Sequence, residues 1–253
     1  MSTTSAPLID ARIMLRRNLK HIIRNPVTVF NAALMPVVLM LLLVYVFGNA
    51  FNVGKHYVEY ATPGLILLAI TYGLSGTAVS VNSDMTKGII NRFKVMNVSR
   101  GAVLTGHVVA TMLISSVAIA VIIGMAFALG FRSPATPLDW LGAIGIIAAT
   151  AFAAAWLTVA LGMVAKTPES AGMAVVPLLL LPFVSSAVVP ADKMGQGIRQ
   201  FAEYQLFTPI IEAVRGLLAG TPSGGYAAAA LAWCAGIALA GYLWSRATFS
   251  KRA

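Results

Sequence analysis

Long apolar runs separated by short polar segments dominate the pattern of this 253-residue chain. Six windows contain no Asp, Glu, Lys or Arg: residues 26–54, 60–83, 101–131, 140–165, 170–191 and 216–245. A helix that rises 1.5 Å per residue needs about 20 apolar residues to cross about 30 Å of hydrocarbon, and every window reaches that length. The pattern predicts an all-α integral membrane protein with six transmembrane helices and both termini on the same side.

The pattern of residues 7–24 predicts a helix that lies on the membrane surface. Its apolar positions recur at helical spacing: Leu8, Ala11, Leu15, Leu19 and Ile22. Basic residues follow at intervals of four on another face: Arg12, Arg16, Lys20 and Arg24. Such a helix is typical of a membrane interface, and Pro26 ends it because the residue before a proline avoids the α conformation. Residues 1–26 therefore form either a cationic anchor that fixes the topology or a helix that also contacts a cytoplasmic partner.

A basic inner loop, residues 82–102, separates the second apolar window from the third. Its charged residues are Asp84, Lys87, Arg92, Lys94 and Arg100. Because a charged segment is costly to place in hydrocarbon, we expect this loop to lie in water. Its position between two apolar helices suggests that it binds another molecule there.

The segment between the last two windows, residues 190–224, is too polar to span and predicts two short amphipathic helices. The pair Thr208-Pro209 predicts the start of the second helix, with Thr208 as its N-cap and Pro209 as its first residue. Either Gly216 or Gly220 is expected to end it. Two arrangements remain open: a re-entrant pair that dips into the outer leaflet, or two helices that lie flat in solvent.

Composition agrees with a membrane protein and charge gives its orientation. Hydrophobic residues are 58% of the chain and charged residues 10%, against about 45–50% and about 25% in soluble domains. Placing the N-terminus inside assigns 13 of the 18 Lys and Arg residues to the cytoplasm, as the positive-inside rule requires. We expect a multi-pass protein of the cell membrane with residues 27–245 as its transmembrane domain and residues 246–253 as a cytoplasmic tail. The basic inner face favours anionic lipid over nucleic acid.

Candidate chemistry on the chain itself is sparse. The sequence contains no Walker A motif for nucleotide phosphates, no catalytic dyad and no metal-ligand spacing. We therefore expect no enzyme activity and no cofactor on this chain. The apolar windows also lack the carboxylates that ion-coupled carriers use, so we expect the energy source to lie on a partner. His107 lies with Thr111 and Ser115 on one helix face, where an interhelical hydrogen bond is expected and a ligand or proton site is the alternative.

Several short motifs occur in one order along the chain. They are Tyr60-Ala61-Thr62-Pro63-Gly64, Asp84 with Gly88, Arg92-Phe93, Ser99-Arg100, Leu104 with Gly106, Pro168-Glu169-Ser170-Ala171, Pro182-Phe183-Val184-Ser185-Ser186-Ala187, Gln205, Thr208-Pro209, Ala213 and Arg215. In order and spacing this set resembles the permease subunits of type 2 ABC exporters of the daunorubicin-resistance kind, over essentially the whole chain. One departure is Met96-Asn97, where that family often has a Leu-Pro pair.

The resemblance implies an export permease for a hydrophobic or amphipathic substrate of the drug, lipid or glycan class. It implies two copies of a cytoplasmic ABC ATPase, which carries the ATP and magnesium, and a second permease copy or paralogue. The implied ATPase-coupling residues are Asp84, Lys87, Arg92, Phe93 and Arg100, with Arg12, Arg16, Arg17 and Lys20 as weaker candidates. Glu212 and Arg215, three residues apart, are implied to hold an outer gate. The alternatives are a stand-alone channel or ion-coupled carrier and a non-transporting membrane anchor subunit.

Overall fold

The computed structural model describes residues 26–47, 57–86 and 100–252. All regular structure within these ranges is helical. The helix predicted for the first 24 residues lies outside them, as does the part of the basic inner loop between residues 87 and 99. The fold description therefore begins at the first apolar window.

Nine α-helices make up the described chain. In order they are α1 (Pro26–Leu42), α2 (Tyr57–Thr86), α3 (Arg100–Ala128), α4 (Pro137–Val164), α5 (Pro168–Ala174), α6 (Val176–Leu180), α7 (Gln196–Tyr204), α8 (Phe207–Leu218) and α9 (Gly224–Arg252). A π-helical turn, Leu43–Phe47, continues α1, and 3-10 turns cover Leu181–Val184 and Ala191–Lys193.

Four of the described helices are long and apolar enough to cross a membrane. They are α2, α4, residues Val103–Ala128 of α3 and residues Gly224–Phe249 of α9. The first and fifth apolar windows form shorter apolar helices, Ala33–Val46 and Pro168–Val184. The all-α membrane fold is confirmed, and the count of six crossings stays a prediction because two of the six segments are short.

Helix α2 lies at the centre of the fold. It packs against α1, α3, α4, α5 and α8, and 72% of its apolar window is buried, against 17% for α9. Close approach to α2 depends on small residues at two points. A Cβ on Gly64 would lie 2.6 Å from Ala187, and a Cβ on Gly162 of α4 would lie 2.7 Å from the carbonyl oxygen of Ala78. Both contacts exclude any larger side chain at the glycine.

The start of α8 corrects one expectation. The helix begins at Phe207, and its N-cap residue, Leu206, makes no capping hydrogen bond through its side chain. Thr208 is therefore not the N-cap: its hydroxyl accepts a hydrogen bond from the Ser186 N–H at 3.3 Å. Pro209, which was predicted as the first residue of the helix, is its third. Gly220, one of the two predicted stops, follows the end of α8 with a φ of 68° that favours glycine.

Candidate functional site

The C-terminal end of α2 is joined to α3 by a buried pair of titratable side chains. His107 Nε2 lies 3.1 Å from Asp84 Oδ2, and the two side chains are only 6% and 13% exposed. The hydrogen bond between helices that was predicted for His107 is therefore confirmed. Its partner, Asp84, was predicted to lie in water within the loop.

Asp84 and Asn82 correct the predicted start of the inner loop. Both residues belong to α2, which continues to Thr86, and Asn82 is fully buried. Its side-chain Nδ2 donates to the carbonyl oxygens of Gly162 at 3.1 Å and Ala165 at 2.7 Å, which lie at the C-terminal end of α4. The helix outlasts its apolar window because these polar side chains find partners on neighbouring helices. Asn82 was not singled out from the sequence; its one signal is an amide near the end of a charge-free window.

The other residues predicted to couple to an ATPase are less fully described. Arg100 is the first residue of α3. Lys87, Arg92 and Phe93, like Arg12, Arg16, Arg17 and Lys20, lie outside the described residues. Their roles stay predictions.

The N-terminal end of α2 is held by one guanidinium group. Arg215 of α8 pairs with Glu212, as the spacing predicted. Its Nη2 also donates to the Ser186 carbonyl at 2.7 Å and to the Tyr60 carbonyl at 3.2 Å, and its Nε lies 3.3 Å from the same Tyr60 oxygen. The guanidinium carbon is 3.9 Å from the centre of the Tyr60 ring, within range of a cation–π interaction. Arg215 thus connects α8, the start of α2 and the chain after α6.

Further hydrogen bonds secure the chain after α6. The hydroxyl of Tyr60 donates to the Ser186 carbonyl at 2.9 Å, and that of Tyr57 donates to the Val188 carbonyl at 3.0 Å. Gln205, between α7 and α8, donates to the carbonyls of Leu181 and Val184, each at 3.2 Å. We call Tyr57, Tyr60, Ser186, Glu212 and Arg215 the outer network. It fixes α8 and the chain after α6 against the N-terminal end of α2.

A second ion pair of the same residue types lies on α7 and is much more exposed. Arg199 Nε lies 2.7 Å from Glu203 Oε1, and the side chains are 48% and 39% exposed. The hydrogen bond that the Arg199 guanidinium donates to Glu203 raises the pKa of that guanidinium above its ordinary value. Water screens this pair, so we expect it to stabilise the fold less than the pair of Arg215 and Glu212 does.

An apolar cavity of about 240 Å³ opens between α3 and α4, beside α2 and the end of α8. Its lining includes Ile66, Met112, Ile119, Trp140, Ile147 and Leu218. Such a surface suits a hydrocarbon chain or a flat apolar molecule. The described part of the chain contains no group of three or more His, Cys, Asp or Glu that could hold a metal ion.

Comparison with known proteins connects this architecture to a family. The family model described as "ABC-2 type transporter" matches residues 10–219. The chain is 29% identical to the daunorubicin resistance ABC transporter permease protein DrrB1 of Streptomyces coeruleorubidus over 198 residues, 78% of this chain and 70% of that protein. It is also 29% identical to the probable doxorubicin resistance ABC transporter permease protein DrrC of Mycobacterium tuberculosis (strain ATCC 25618 / H37Rv), over 93% of this chain and 87% of that protein.

Proposed function

Because the chain belongs to the ABC-2 type transporter family and is a membrane permease subunit of an ABC exporter, we propose that its helix α2 couples ATP hydrolysis on a partner to an outer gate. The observation that carries this proposal is the placement of two polar clusters at opposite ends of one buried helix. Asp84 lies at the inner end and the outer network at the other. With 30 residues, α2 spans about 45 Å, enough to join the two membrane surfaces.

We propose the following assembly. Two copies of a cytoplasmic ABC ATPase bind ATP and magnesium, and this chain pairs with a second permease, either another copy or a paralogue. The two shorter apolar helices complete six crossings, with both termini cytoplasmic. The support is the charge distribution, which assigns 13 of the 18 Lys and Arg residues to the inner side.

The proposed ATPase contact is the part of the inner loop between α2 and α3, residues 87–99, together with Arg100 at the start of α3. Its cationic side chains Lys87, Arg92 and Arg100 suit acidic groups on a cytoplasmic protein, and Phe93 suits an apolar pocket. The basic residues of the first 24 positions assist this contact more weakly and bind anionic lipid. The described structure supports this assignment indirectly, since the loop leaves from α2 and returns into α3, the two helices that Asp84 and His107 connect.

The proposed outer gate is the helix pair α7 and α8, held closed by Arg215 and Glu212. We propose that this pair is re-entrant, because α8 buries apolar side chains such as Ile210, Ile211 and Val214 against the transmembrane helices. Ile198 and Phe201 of α7 remain exposed and suit the outer leaflet. Opening requires the guanidinium to release the carbonyl oxygens of Tyr60 and Ser186.

The proposed cargo is hydrophobic or amphipathic. The relatives named above are called daunorubicin and doxorubicin resistance permeases, and the apolar cavity between α3 and α4 suits a molecule with an apolar surface. Daunorubicin is therefore the first probe to test.

The experiment measures ATP hydrolysis by the purified complex of this chain with its ATPase, reconstituted in lipid. We expect Arg92→Ala/Phe93→Ala to reduce the hydrolysis that depends on the permease and to weaken copurification of the two subunits. The matched control is Asn97→Ala in the same loop, which removes neither charge nor an aromatic ring. Full assembly and full activity in the double variant would exclude the loop as the ATPase contact.

A further inference from the structure

A seam of polar side chains follows the interface between α2 and α3 inward from the middle of both helices. Thr77 and Thr111 are 2.8 Å apart between their hydroxyl oxygens, and both are buried. The Thr111 hydroxyl donates to the His107 carbonyl at 2.8 Å, so Thr77 donates the hydrogen between the two threonines. Asp84 and His107 form the inner end of the same seam. Residues 77 and 84 of α2 thus face residues 111 and 107 of α3.

The inner end of the seam lies across the base of the loop. Asp84 is two residues from the end of α2, and His107 is seven residues inside α3. The loop residues 87–99 connect these two ends. The bond between Asp84 and His107 therefore fixes the separation of α2 and α3 at the point where the loop joins them.

Burial gives this bond its strength. The ring of His107 and the carboxyl group of Asp84 are nearly excluded from solvent, and a polar group in such surroundings is costly when its partner is removed. Valine or leucine at these positions would pack without that cost, but would leave the two helix ends free to slide. A specific polar pair instead sets one register between α2 and α3.

We propose that His107 is a positioning residue for ATP-driven transport: through Asp84 it holds the inner ends of α2 and α3 together, so that the loop moves both helices as one body. The proposal rests on the coupling role given above to residues 87–99 and Arg100. His107 need not touch the ATPase or the cargo. Its action is on Asp84 and, through Asp84, on the path of the loop.

The first test measures daunorubicin transported per ATP hydrolysed by the reconstituted complex. His107→Ala should lower this ratio roughly threefold to about tenfold, the range that a single interhelical hydrogen bond gives in a membrane protein. ATP hydrolysis should continue, because the ATPase itself is intact. His107→Gln, which retains an N–H donor, should recover most of the ratio.

The matched control breaks a buried interhelical contact elsewhere. The hydroxyl of Thr150 on α4 lies 3.4 Å from Cys234 Sγ on α9. Thr150→Val should leave the ratio unchanged, because that contact is distant in sequence from the loop and its two helices. If His107→Ala has no effect while Arg92→Ala/Phe93→Ala uncouples the complex, the positioning role is wrong and the proposed function stands. If neither changes coupling, the proposed function itself fails.

A cross-linking experiment gives the opposite direction of effect. The chain's single cysteine, Cys234, is first replaced by alanine. A short bifunctional maleimide then joins the two cysteines of D84C/H107C. If the helix ends move together, the cross-linked complex should transport daunorubicin at least as well as the same variant without the reagent. Loss of transport on cross-linking would mean that the ends must separate in each cycle, which overturns the proposal.

Discussion

Replacing Arg215 by alanine is the substitution that tests the outer network most severely. The guanidinium pairs with Glu212, donates to the carbonyls of Tyr60 and Ser186 and covers the Tyr60 ring. The side chains of Arg215 and Glu212 are 16% and 26% exposed. Alanine therefore removes a mostly buried charge and leaves a carboxylate and two carbonyl groups without this donor.

We expect Arg215→Ala to lower the free energy of unfolding by about 3 kcal/mol, the lower end of the cost of breaking a buried ion pair. The lower end applies because both side chains keep some contact with water. A hydrogen bond to a charged group contributes about 1.5–3 kcal/mol and a cation–π contact about 0.5–2 kcal/mol. These contributions share one group and do not add. Arg215→Lys keeps the charge but loses the planar fork, so it should cost about 1–2 kcal/mol.

The assay is equilibrium unfolding in mixed micelles with increasing SDS, followed by tryptophan fluorescence. Arg199→Ala is the matched control, since Arg199 also pairs with a glutamate on one helix but is far more exposed. That control should unfold like the wild type, because exposed pairs add little stability. If Arg215→Ala is as stable as Arg199→Ala, the outer network does not hold the end of α2. A stable Arg215→Lys variant alone would argue only against the importance of the fork geometry.

Two further substitutions test the packing around α2. Gly162→Ala should lower the free energy of unfolding by about 1–3 kcal/mol, because a Cβ there would lie 2.7 Å from the Ala78 carbonyl oxygen. In the control, Gly145→Ala on the same helix, the new Cβ meets nothing within 4 Å, so stability should be unchanged or raised. Equal effects of the two substitutions in the unfolding assay would contradict the close contact. Asn82→Ala should cost about 1–3 kcal/mol through loss of its bonds to Gly162 and Ala165, and hydrogen exchange at the end of α4 should increase, while unchanged exchange would show that Asn82 does not secure that end.

The apolar windows predicted where helices lie but not where they end. The second apolar window covers residues 60–83, whereas α2 runs from Tyr57 to Thr86. Hydropathy reports which segment prefers hydrocarbon, whereas helix length also depends on partners for the terminal polar groups. Asn82 and Asp84 extend α2 because they bond to α4 and α3. Such partners are supplied by tertiary packing, which a single-sequence pattern does not contain.

The candidate site was predictable only in its local parts. Glu212 and Arg215 are three residues apart on one helix, so their pairing followed from helix geometry. The other acceptors of Arg215 are backbone carbonyls of Tyr60 and Ser186. Every residue has a carbonyl group, so nothing in the sequence distinguishes these two. The same limit applies to glycine: Gly162 and Gly145 lie on one apolar helix, and only the packing shows that the first touches α2.

His107 is an intermediate case. The interval of four that links it to Thr111 and Ser115 predicted a polar face and hence an interhelical bond. The partner of this bond is Asp84. Predicting that partner would have required the register of α2 against α3, which depends on how the whole interface packs. A charged residue at the end of an apolar window is thus a candidate partner for a buried histidine, rather than only the first residue of a loop.

Energy coupling through a partner is the central claim, and transport by purified protein in liposomes tests it most directly. The chain alone and its complex with the ATPase are reconstituted separately, and daunorubicin uptake into inside-out vesicles is measured with and without ATP. We predict uptake only by the complex and only with ATP, with Arg92→Ala/Phe93→Ala reducing it and Asn97→Ala leaving it unchanged. Transport by the chain alone without ATP would contradict the account and favour a stand-alone channel or carrier, and binding of the ATPase without any flux would favour an anchor subunit.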